Sequence, residues 1–215
     1  MIILYRFNYI FLLIGFSFFL SSCQSDVYRT KNVYRKLSCD DPCNNHYKGH
    51  YKVGSSYVMK KKIYTPQEVT RYNKVGVASW YGSRYGFHGS KTANGDIYDK
   101  NLLTAAHRTL QLPSLARVKN LENGKSIIVL VNDRGPYAHN REIDLSERAA
   151  TILDIKKKGT AKVQVQYLHS ESQKFLKTLG LQKKSGSIAR SALANSDCSV
   201  NCHIKLVNLK YKNRL

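Results

Sequence analysis

The architecture of this chain is best inferred from Lys91-Thr-Ala-Asn-Gly-Asp-Ile-Tyr-Asp-Lys-Asn-Leu-Leu-Thr-Ala-Ala-His107. Asn94-Gly95 favours a tight turn, because glycine tolerates the positive φ that such turns require. Two carboxylates, Asp96 and Asp99, follow the turn, and His107 closes the segment. A polar turn that carries acids and leads into a short apolar run is typical of the loops that a rigid β-scaffold displays.

A second polar loop, over residues 132–136, follows the apolar run 127–131, which is long enough to be a buried strand. This loop contributes Asp133 and Arg134. A further acid, Asp144, lies between an isoleucine and a leucine. The sequence therefore places several acids, one histidine and one arginine between short strands, and these side chains are candidates for chemistry.

Short strands separated by glycine-rich turns are predicted from residue 75 onward. The predicted strands cover residues 75–81, 115–121, 125–131 and 162–168, residues 103–106 form a short apolar stretch, and a short helix over 147–153 follows an N-cap at Ser146. Many short strands with one short helix favour an all-β fold, a small barrel. Spacing alone leaves the topology of that barrel open.

Residues 1–22 have the pattern of a signal peptide. Arg6 precedes an uncharged run over residues 9–20, which is shorter than the roughly 20 residues that a membrane-spanning helix needs. The run ends in Leu20-Ser-Ser-Cys23, which resembles a bacterial lipobox. These features predict an exported lipoprotein anchored to the membrane by acyl chains on Cys23. Gln24 favours the outer membrane, with the protein facing the periplasm; the alternative is an uncleaved transmembrane helix.

The composition predicts an anionic partner. The 215 residues include 35 Lys plus Arg against 14 Asp plus Glu, a formal net charge of +21. Nucleic acid would be the usual inference from such a charge, but an exported protein does not normally meet it. The remaining anionic candidates are lipopolysaccharide, phospholipid headgroups and peptidoglycan, and the alternative is a solvated lysine-rich surface. The sequence contains no motif for a nucleotide or redox cofactor, so no cofactor is expected.

Basic segments flank the predicted barrel. Residues 23–74 are rich in lysine and tyrosine and predict a tether, with a hairpin near residues 53–66 that has lysines in its turn. Residues 169–215 predict a short basic tail with weak helical character over 173–181. The tether and the tail each hold a pair of cysteines in the pattern C-x₃-C: Cys39, Cys43, Cys198 and Cys202.

An oxidising compartment favours disulfides among these four cysteines, for which three connectivities exist. A zinc site that includes His46 and His203 is the alternative. No other metal site is predicted.

Six motifs occur in one order: Gly76-Val-Ala-Ser-Trp-Tyr-Gly82, Phe87-His-Gly89, Thr92-Ala-Asn-Gly95, Thr104-Ala-Ala-His107, Asn132-Asp-Arg-Gly-Pro136 and Ile143-Asp-Leu-Ser146. Together, over residues 75–168, they resemble the rare lipoprotein A family of septal-ring endolytic peptidoglycan transglycosylases. The resemblance implies a six-stranded double-psi β-barrel. It also implies a cofactor-free lyase that cuts the MurNAc–GlcNAc bond of peptidoglycan strands and leaves 1,6-anhydro-MurNAc, in cell-wall remodelling. Many members carry a C-terminal SPOR repeat, and none is found in residues 169–215.

The resemblance implies that Asp96, Asp99 and His107 are catalytic. The family commonly has Glu at the first position, and Asp shortens the reach by one methylene, roughly 1.5 Å. A proton donor needs a pKa raised by burial or by a neighbouring negative charge, so we expect the two acids to raise each other's pKa if they converge. His107 is expected to orient one of them or to bind a sugar.

Six more residues are candidates for substrate binding or catalysis: Trp80, Tyr81, His88, Asp133, Arg134 and Asp144. Among them, Arg134 suits bidentate binding of a lactyl carboxylate, and the aromatic residues suit stacking on sugars. Tyr85 and Phe87 are weaker candidates for sugar subsites. The alternative function is a non-catalytic wall-binding lipoprotein resembling expansins, and a metal-binding protein is the third.

Overall fold

The computed structural model describes residues 47–82, 86–138, 140–181, 204 and 207–208. Several predictions fall outside the described residues: the signal peptide, Cys23, the tether before residue 47, Tyr85, the four paired cysteines, His46 and His203. None of the helices in the described ranges is both long and apolar enough to span a bilayer.

The described chain contains eight strands and two helices. In chain order they are β1 Tyr57–Met59, β2 Lys62–Tyr64, β3 Asn73–Trp80, β4 Thr104–Ala106, β5 Ser114–Asn120, β6 Ser126–Asp133, β7 Arg141–Leu145, α1 Glu147–Ile152, β8 Ala161–Tyr167 and α2 His169–Thr178. The four predicted strands and the predicted short helix are present, and the short apolar stretch over residues 103–106 contains β4. Strand β7 was not predicted, because its five residues hold three charges and too few alternating positions to show a period.

Six of the strands close into a barrel in the order β3-β7-β4-β6-β5-β8. The pairs β3–β7 and β4–β6 are parallel, and the other neighbouring pairs are antiparallel. This mixed closed sheet confirms the six-stranded double-psi β-barrel that the sequence motifs imply. Both parallel pairs contain a register shift, and the one after Ala105 lies beside the candidate site.

Small and β-branched side chains fill the barrel. Ala78, Ala105, Val129 and Ile143 are fully buried in one cluster, together with alternate residues of β5 and β8. The predicted alternation over residues 115–121 and 162–168 is therefore confirmed. Because strand residues alternate between faces, Asp144, which lies between two core residues of β7, belongs to the outer face of the wall.

Helix α1 begins as predicted. The Ser146 hydroxyl accepts a hydrogen bond from the Ala149 amide at 3.3 Å and donates one to the Leu102 carbonyl at 2.5 Å. Its backbone amide also donates to the Thr104 carbonyl. Ser146 thus caps the helix and fastens it to the start of β4.

Residues 47–72 pack on the barrel, whereas the sequence predicted a tether there. Tyr51 is buried, and Lys52 exchanges two backbone hydrogen bonds with Leu112, at 2.6 and 2.8 Å. The predicted hairpin is present as β1 and β2, with Lys60 and Lys61 in its turn. The packing was missed because scattered tyrosines that each dock on a separate part of the barrel leave no period in the sequence.

Helix α2 also belongs to the fold. Phe175 is fully buried in a second cluster with Leu115, Ile128 and Leu130 of the barrel wall. The Ser172 hydroxyl accepts a hydrogen bond from the Leu115 amide at 2.9 Å. The basic segment that the sequence marked as a tail therefore begins with a helix that covers β5 and β6.

We expect Phe175→Ala to lower the free energy of unfolding by about 3–5 kcal/mol, because it removes a large side chain from a packed cluster. The matched control is Lys177→Ala on the exposed face of the same helix, for which the change should stay within about 0.5 kcal/mol. Urea denaturation followed by circular dichroism measures both. Equal effects of the two substitutions would show that α2 does not stabilise the barrel.

Candidate active site

Two tyrosines in ring contact, Tyr98 buried and Tyr81 partly buried, mark the place where the acidic side chains converge. The rings of Tyr81 and Tyr98 lie 4.6 Å apart, and the Tyr98 hydroxyl donates to the Tyr81 carbonyl at 2.7 Å. Gly82 has φ +96°, and a Cβ there would lie 2.4 Å from the Tyr98 hydroxyl, so this position requires glycine. Burial raises the pKa of Tyr98 to about 12, with the charges of Asp99 and Asp133 adding to it.

Tyr81 shares these acidic neighbours. Burial holds its pKa well above the usual value, and the charges of Asp133 and Asp144 raise it further. The negative charges of three predicted site residues, Asp99, Asp133 and Asp144, therefore raise the pKa of one or both tyrosines. The structure brings these three acids together around the aromatic pair.

Asp133 ends strand β6 and has one anchored carboxyl oxygen. Its Oδ1 accepts hydrogen bonds from the backbone amides of Ala93 and Arg134, both at 2.8 Å. Its Oδ2 accepts a hydrogen bond from the Tyr81 hydroxyl at 3.4 Å. Burial raises the pKa of this carboxyl and outweighs those hydrogen bonds, which lower it. The carboxyl is thus fixed by one oxygen and presents the other to the site, with its affinity for a proton increased.

Asp144 lies on the same face, two strands away from Asp133, with β4 between them. Strand register pairs Ala106 with Asp133 of β6 on one side and with Asp144 of β7 on the other. Ala106 therefore lies between the carboxyls of Asp133 and Asp144 on this face of the sheet. Asp144 contacts the Arg141 guanidinium at 3.1 Å through Oδ2, and its buried Oδ1 has no hydrogen-bond partner among the described residues. Burial raises the pKa of Asp144 to about 6.

Asp96 is held between two segments. Its Oδ2 accepts from the Asn132 side-chain amide at 3.0 Å, and its Oδ1 accepts from the Lys48 backbone amide at 3.3 Å. The preceding turn is the predicted one, because Gly95 has φ +85° and its amide donates to the Thr92 carbonyl. Burial raises the pKa of Asp96, although the bond from Asn132 opposes this.

Asp99 lies at the exposed lip of the site. Its Oδ1 accepts from the Asn101 amide at 2.8 Å and lies 3.6 Å from Nδ1 of His88. The side chains of Asp99 and His88 are 25% and 52% exposed, so solvent and substrate can reach both. Asp96 and Asp99 contact different groups, and burial is the largest cause of the raised pKa of Asp96. The expected mutual effect of these two acids is therefore not what shifts Asp96.

His107 lies beneath the site and is fully buried. Its Nδ1 accepts from the amides of Thr109 and Leu110, at 3.2 and 3.1 Å, so the proton resides on Nε2. Nε2 faces the Tyr72 hydroxyl at 2.9 Å and Glu142 at 3.3 Å, and burial lowers the pKa of the ring. This differs from the sequence expectation, because the hydrogen bonds described for the ring lead to neither Asp96 nor Asp99, and burial keeps it from a sugar.

Two other candidates face away from the acids. The Arg134 guanidinium donates to the carbonyls of Leu110 at 2.6 Å and Val53 at 2.6 Å, and to that of His107 at 3.2 Å. It fastens the 47–53 segment to the barrel and does not present a free fork to a lactyl carboxylate, contrary to the sequence interpretation. Trp80 packs partly buried against the barrel core, with the Lys156 ammonium 6.0 Å from its ring centre.

Sequence reasoning missed Tyr98, Asn132 and Ala106 as parts of the site. Tyr98 stands between the two predicted acids, and a tyrosine in so polar a turn was a usable signal. Ala106 gave no signal, since its importance comes from strand register alone. Within the described ranges, no cluster of three or more His, Cys, Asp or Glu side chains could hold a metal ion.

Glu142 anchors the network around His107. Burial raises its pKa, but hydrogen bonds from His107 and Tyr72 and the nearby Arg108 guanidinium bring the pKa down to about 2. Its folded-state pKa is below the unfolded value of 4.5, so its stabilising contribution is complete above pH 4.5 and is lost as the pH falls towards 2.

We expect Glu142→Gln to lower the free energy of unfolding at pH 7 by about 3 kcal/mol and to flatten its decline between pH 4.5 and 2. Urea unfolding at a series of pH values measures this. The control is Glu122→Gln, which removes an exposed carboxylate and should change the profile little. If Glu142→Gln keeps the full decline of the free energy of unfolding between pH 4.5 and 2, Glu142 is not the cause of that decline.

Comparison with known proteins identifies the family. A family model described as lytic transglycolase matches residues 73–165. The endolytic peptidoglycan transglycosylase RlpA of Rickettsia bellii is 50% identical over 220 residues, which cover 97% of each chain. That of Rickettsia felis is 52% identical over 216 residues, 94% of this chain and 93% of the relative. The RlpA of Neisseria meningitidis is 49% identical over 120 residues, which cover 55% of this chain and 49% of the relative.

Two solved structures are similar to this chain over less than half of its length. A Streptomyces papain inhibitor is 21% identical, with a TM-score of 0.38 over 45% of this chain and 94% of its own. An expansin from Clavibacter michiganensis is 15% identical, with a TM-score of 0.35 over 45% of this chain and 50% of its own. The assignment rests on the sequence relatives, whose similarity runs along nearly the whole chain, and the chain belongs to the RlpA family.

Proposed function

We propose that this protein is an endolytic peptidoglycan transglycosylase, which cleaves the bond between MurNAc and GlcNAc inside glycan strands. The observation that carries the proposal is an identity of 50% along 97% of a relative that bears this name. The carboxyls of Asp99, Asp133 and Asp144 around Tyr81 and Tyr98 support the same chemistry.

The reaction needs a group that gives up one proton and later accepts another. A carboxyl donates its proton to the glycosidic oxygen, and the bond from that oxygen to C1 of MurNAc breaks. The C6 hydroxyl oxygen of the same MurNAc then bonds to C1, and its proton goes to the carboxylate. No water is consumed, and the product ends in 1,6-anhydro-MurNAc. The donor must be protonated near neutral pH, so its pKa must be raised.

Asp133 meets these requirements best, and we assign it the proton transfer. Its carboxyl is positioned by two amides, its Oδ2 is available, and burial raises its pKa. Asp144 stands across Ala106 and, when ionised, further favours the protonated form of Asp133, because like charges disfavour joint ionisation. Two carboxyls in unequal surroundings are a usual arrangement for acid catalysis.

Asp99 is assigned to the substrate side of the cleft. Its carboxyl lies at the exposed lip, from where a negative charge would stabilise the positive charge that develops at C1. Phe87, which is half exposed and packs edge-on against Tyr81 at 6.0 Å, offers a face for a sugar ring. Asp99 thereby keeps the catalytic role that the resemblance implies, while the proton transfer moves to Asp133.

Asp96 and His107 are assigned positioning roles. Asp96 already reaches the Asn132 amide at 3.0 Å, beside Asp133, so the shorter side chain is sufficient for holding that loop. The His107 backbone amide donates to the Asp133 carbonyl at 3.0 Å, which fixes the end of β6 from below. The family preference for Glu at position 96 therefore does not argue against activity in this chain.

We also infer that Cys23 carries a lipid anchor and that the protein acts on the periplasmic side of the outer membrane. The lipobox-like sequence Leu20-Ser-Ser-Cys23 supports this inference. Metabolic labelling with a palmitate analogue tests it, since a Cys23→Ser variant should lose the label.

The chain from Ser25 onward, incubated with purified peptide-free glycan strands, should yield fragments that end in 1,6-anhydro-MurNAc by mass spectrometry. We expect Asp133→Asn and Asp99→Asn each to lower kcat/KM by about 10²-fold or more, the usual contribution of a catalytic carboxyl. Asp154→Asn, an exposed acid paired with Lys125, is the control and should act like the wild type.

Other outcomes would assign the site differently. Reducing ends that have gained water would mean a hydrolase with a second, basic carboxyl. Strands that co-sediment with the protein but stay uncut would favour the wall-binding module that resembles expansins. A fully active Asp133→Asn variant beside an inert Asp99→Asn variant would make Asp99 the proton donor.

The dependence of kcat/KM on pH tests the proton donor separately. Because the protonated form is active, kcat/KM should fall tenfold per unit above the pKa of Asp133, which lies above its usual value of 3.8. Above pH 6, where Asp144 is ionised, Asp144→Asn removes a charge roughly 10 Å away, two strand spacings, and should lower that pKa by about 0.5 to 1 unit. The descending limb would then move to lower pH, while Asp154→Asn leaves it in place. If the descending limb of the Asp144→Asn profile does not move, the charge of Asp144 does not affect the pKa of Asp133.

A further inference from the structure

The hairpin of β1 and β2 is fixed to the barrel through its inner face. The rings of Tyr57 and Tyr64 stack at 5.5 Å, and both lie about 6 Å from the Tyr137 ring, at 6.1 and 6.0 Å. The Tyr57 hydroxyl donates to the Arg108 carbonyl at 3.0 Å. This aromatic cluster holds the hairpin in one orientation, so its outer face is a defined surface.

The outer face of the hairpin is apolar, and it is exposed in the described part of the chain. Val58 and Ile63 are paired in the strand register and are 66% and 69% exposed. Met59, next to Val58 on β1 and therefore on the other face, is 39% exposed. Six large hydrophobic side chains are exposed in the described part of the chain, and these three of them lie within eight residues. An apolar patch that the fold leaves open in this way marks an interaction surface.

The tip of the hairpin carries lysines where its backbone favours other residues. Lys60 and Lys61 form a two-residue turn with φ +49° and +61°, a geometry for which Asn-Gly is the preferred sequence. A side chain with a Cβ is unfavourable in this conformation. Two lysines in this strained conformation indicate that their charges have a role other than forming the turn.

The charges near the tip are also unbalanced. Residues 47–74 hold six lysines and one arginine against one glutamate. In the described part of the chain, Lys60, Lys61 and Lys62 form no ion pair with a carboxylate. By contrast, in another run of three lysines, Lys156 pairs with Glu147 and Lys158 with Glu122.

We propose that this hairpin binds a membrane surface that presents lipid phosphates. Val58 and Ile63 enter the boundary between headgroups and acyl chains, and Lys60 and Lys61 at the tip contact the phosphates. A lipid surface fits better than a glycan strand, because sugars stack on aromatic faces whereas this surface offers branched aliphatic side chains. Phospholipids and lipid A share the phosphate chemistry that the lysines would recognise. The proposal does not depend on the catalytic assignment.

Vesicle flotation with the chain from Ser25 onward, which lacks Cys23, measures the affinity of the hairpin without any lipid anchor. We expect binding to vesicles of equimolar phosphatidylcholine and phosphatidylglycerol, much weaker binding to phosphatidylcholine alone, and weakening with added salt. Phosphatidylcholine vesicles that contain lipid A form the third arm. Stronger binding in one of the two anionic arms identifies the preferred phosphate source.

The decisive variant is Lys60→Asn/Lys61→Gly, because it should move stability and binding in opposite directions. Asn and Gly suit the positive φ of this turn, so Tm should rise by about 2–4 °C for each residue whose backbone strain is relieved. Two lost lysines should weaken binding to anionic vesicles by roughly 25-fold, about fivefold each. Val58→Thr/Ile63→Thr should weaken it by about tenfold, since two partly inserted side chains become polar.

The matched control is Lys157→Asn/Lys158→Asn, which removes the same charge from an exposed site elsewhere and should change binding less than twofold. Equal losses in the control and in Lys60→Asn/Lys61→Gly would mean that net charge, and not the hairpin, drives binding. Undiminished binding by Lys60→Asn/Lys61→Gly would overturn the proposal. So would co-sedimentation with glycan strands in place of flotation with vesicles. Glycan cleavage by the same variant reports on the proposed function, so the two failures remain distinguishable.

Discussion

Two backbone amides hold the Asp133 carboxyl, and the site depends on this contact. The amide of Ala93 belongs to the turn before the acidic segment, and the amide of Arg134 belongs to the loop after β6. One carboxyl oxygen therefore ties a long surface loop to the end of a barrel strand. A charged acceptor makes such bonds about twice as strong as neutral ones. The loop that carries Asp96 and Asp99 gains a fixed position from it.

The segment before the barrel extends the same framework. Asp96 accepts from Asn132 on the barrel and from the Lys48 amide, and the buried Asn94 amide donates to the Tyr47 hydroxyl at 2.5 Å. Arg134 adds a bond to the Val53 carbonyl. Residues 47–53 are thus part of the support for the loop that carries Asp96 and Asp99, and the candidate site is not complete with the six barrel strands alone.

The sequence predicted the barrel well, because alternation in β5 and β8 and the apolar run of β6 are strong local signals. Its six ordered motifs also located the acidic cleft. It could not show which side of the wall each polar residue faces. His107 and Arg134 stand in the motifs beside the acids, yet both side chains point into the protein, where they form hydrogen bonds with the backbone of Leu110. Burial of this kind depends on register and packing, which are not local properties.

Charge is another property for which composition and structure lead to different expectations. A formal net charge of +21 would be expected to favour ionised carboxylates throughout the protein. In the site, however, burial raises the pKa of Asp96, Asp133 and Asp144. Solvent ions screen the distant lysines beyond about 8–10 Å, whereas lost hydration acts directly on each carboxyl. Local burial therefore sets the proton affinity of the cleft, and a strongly basic protein can keep a protonated acid there.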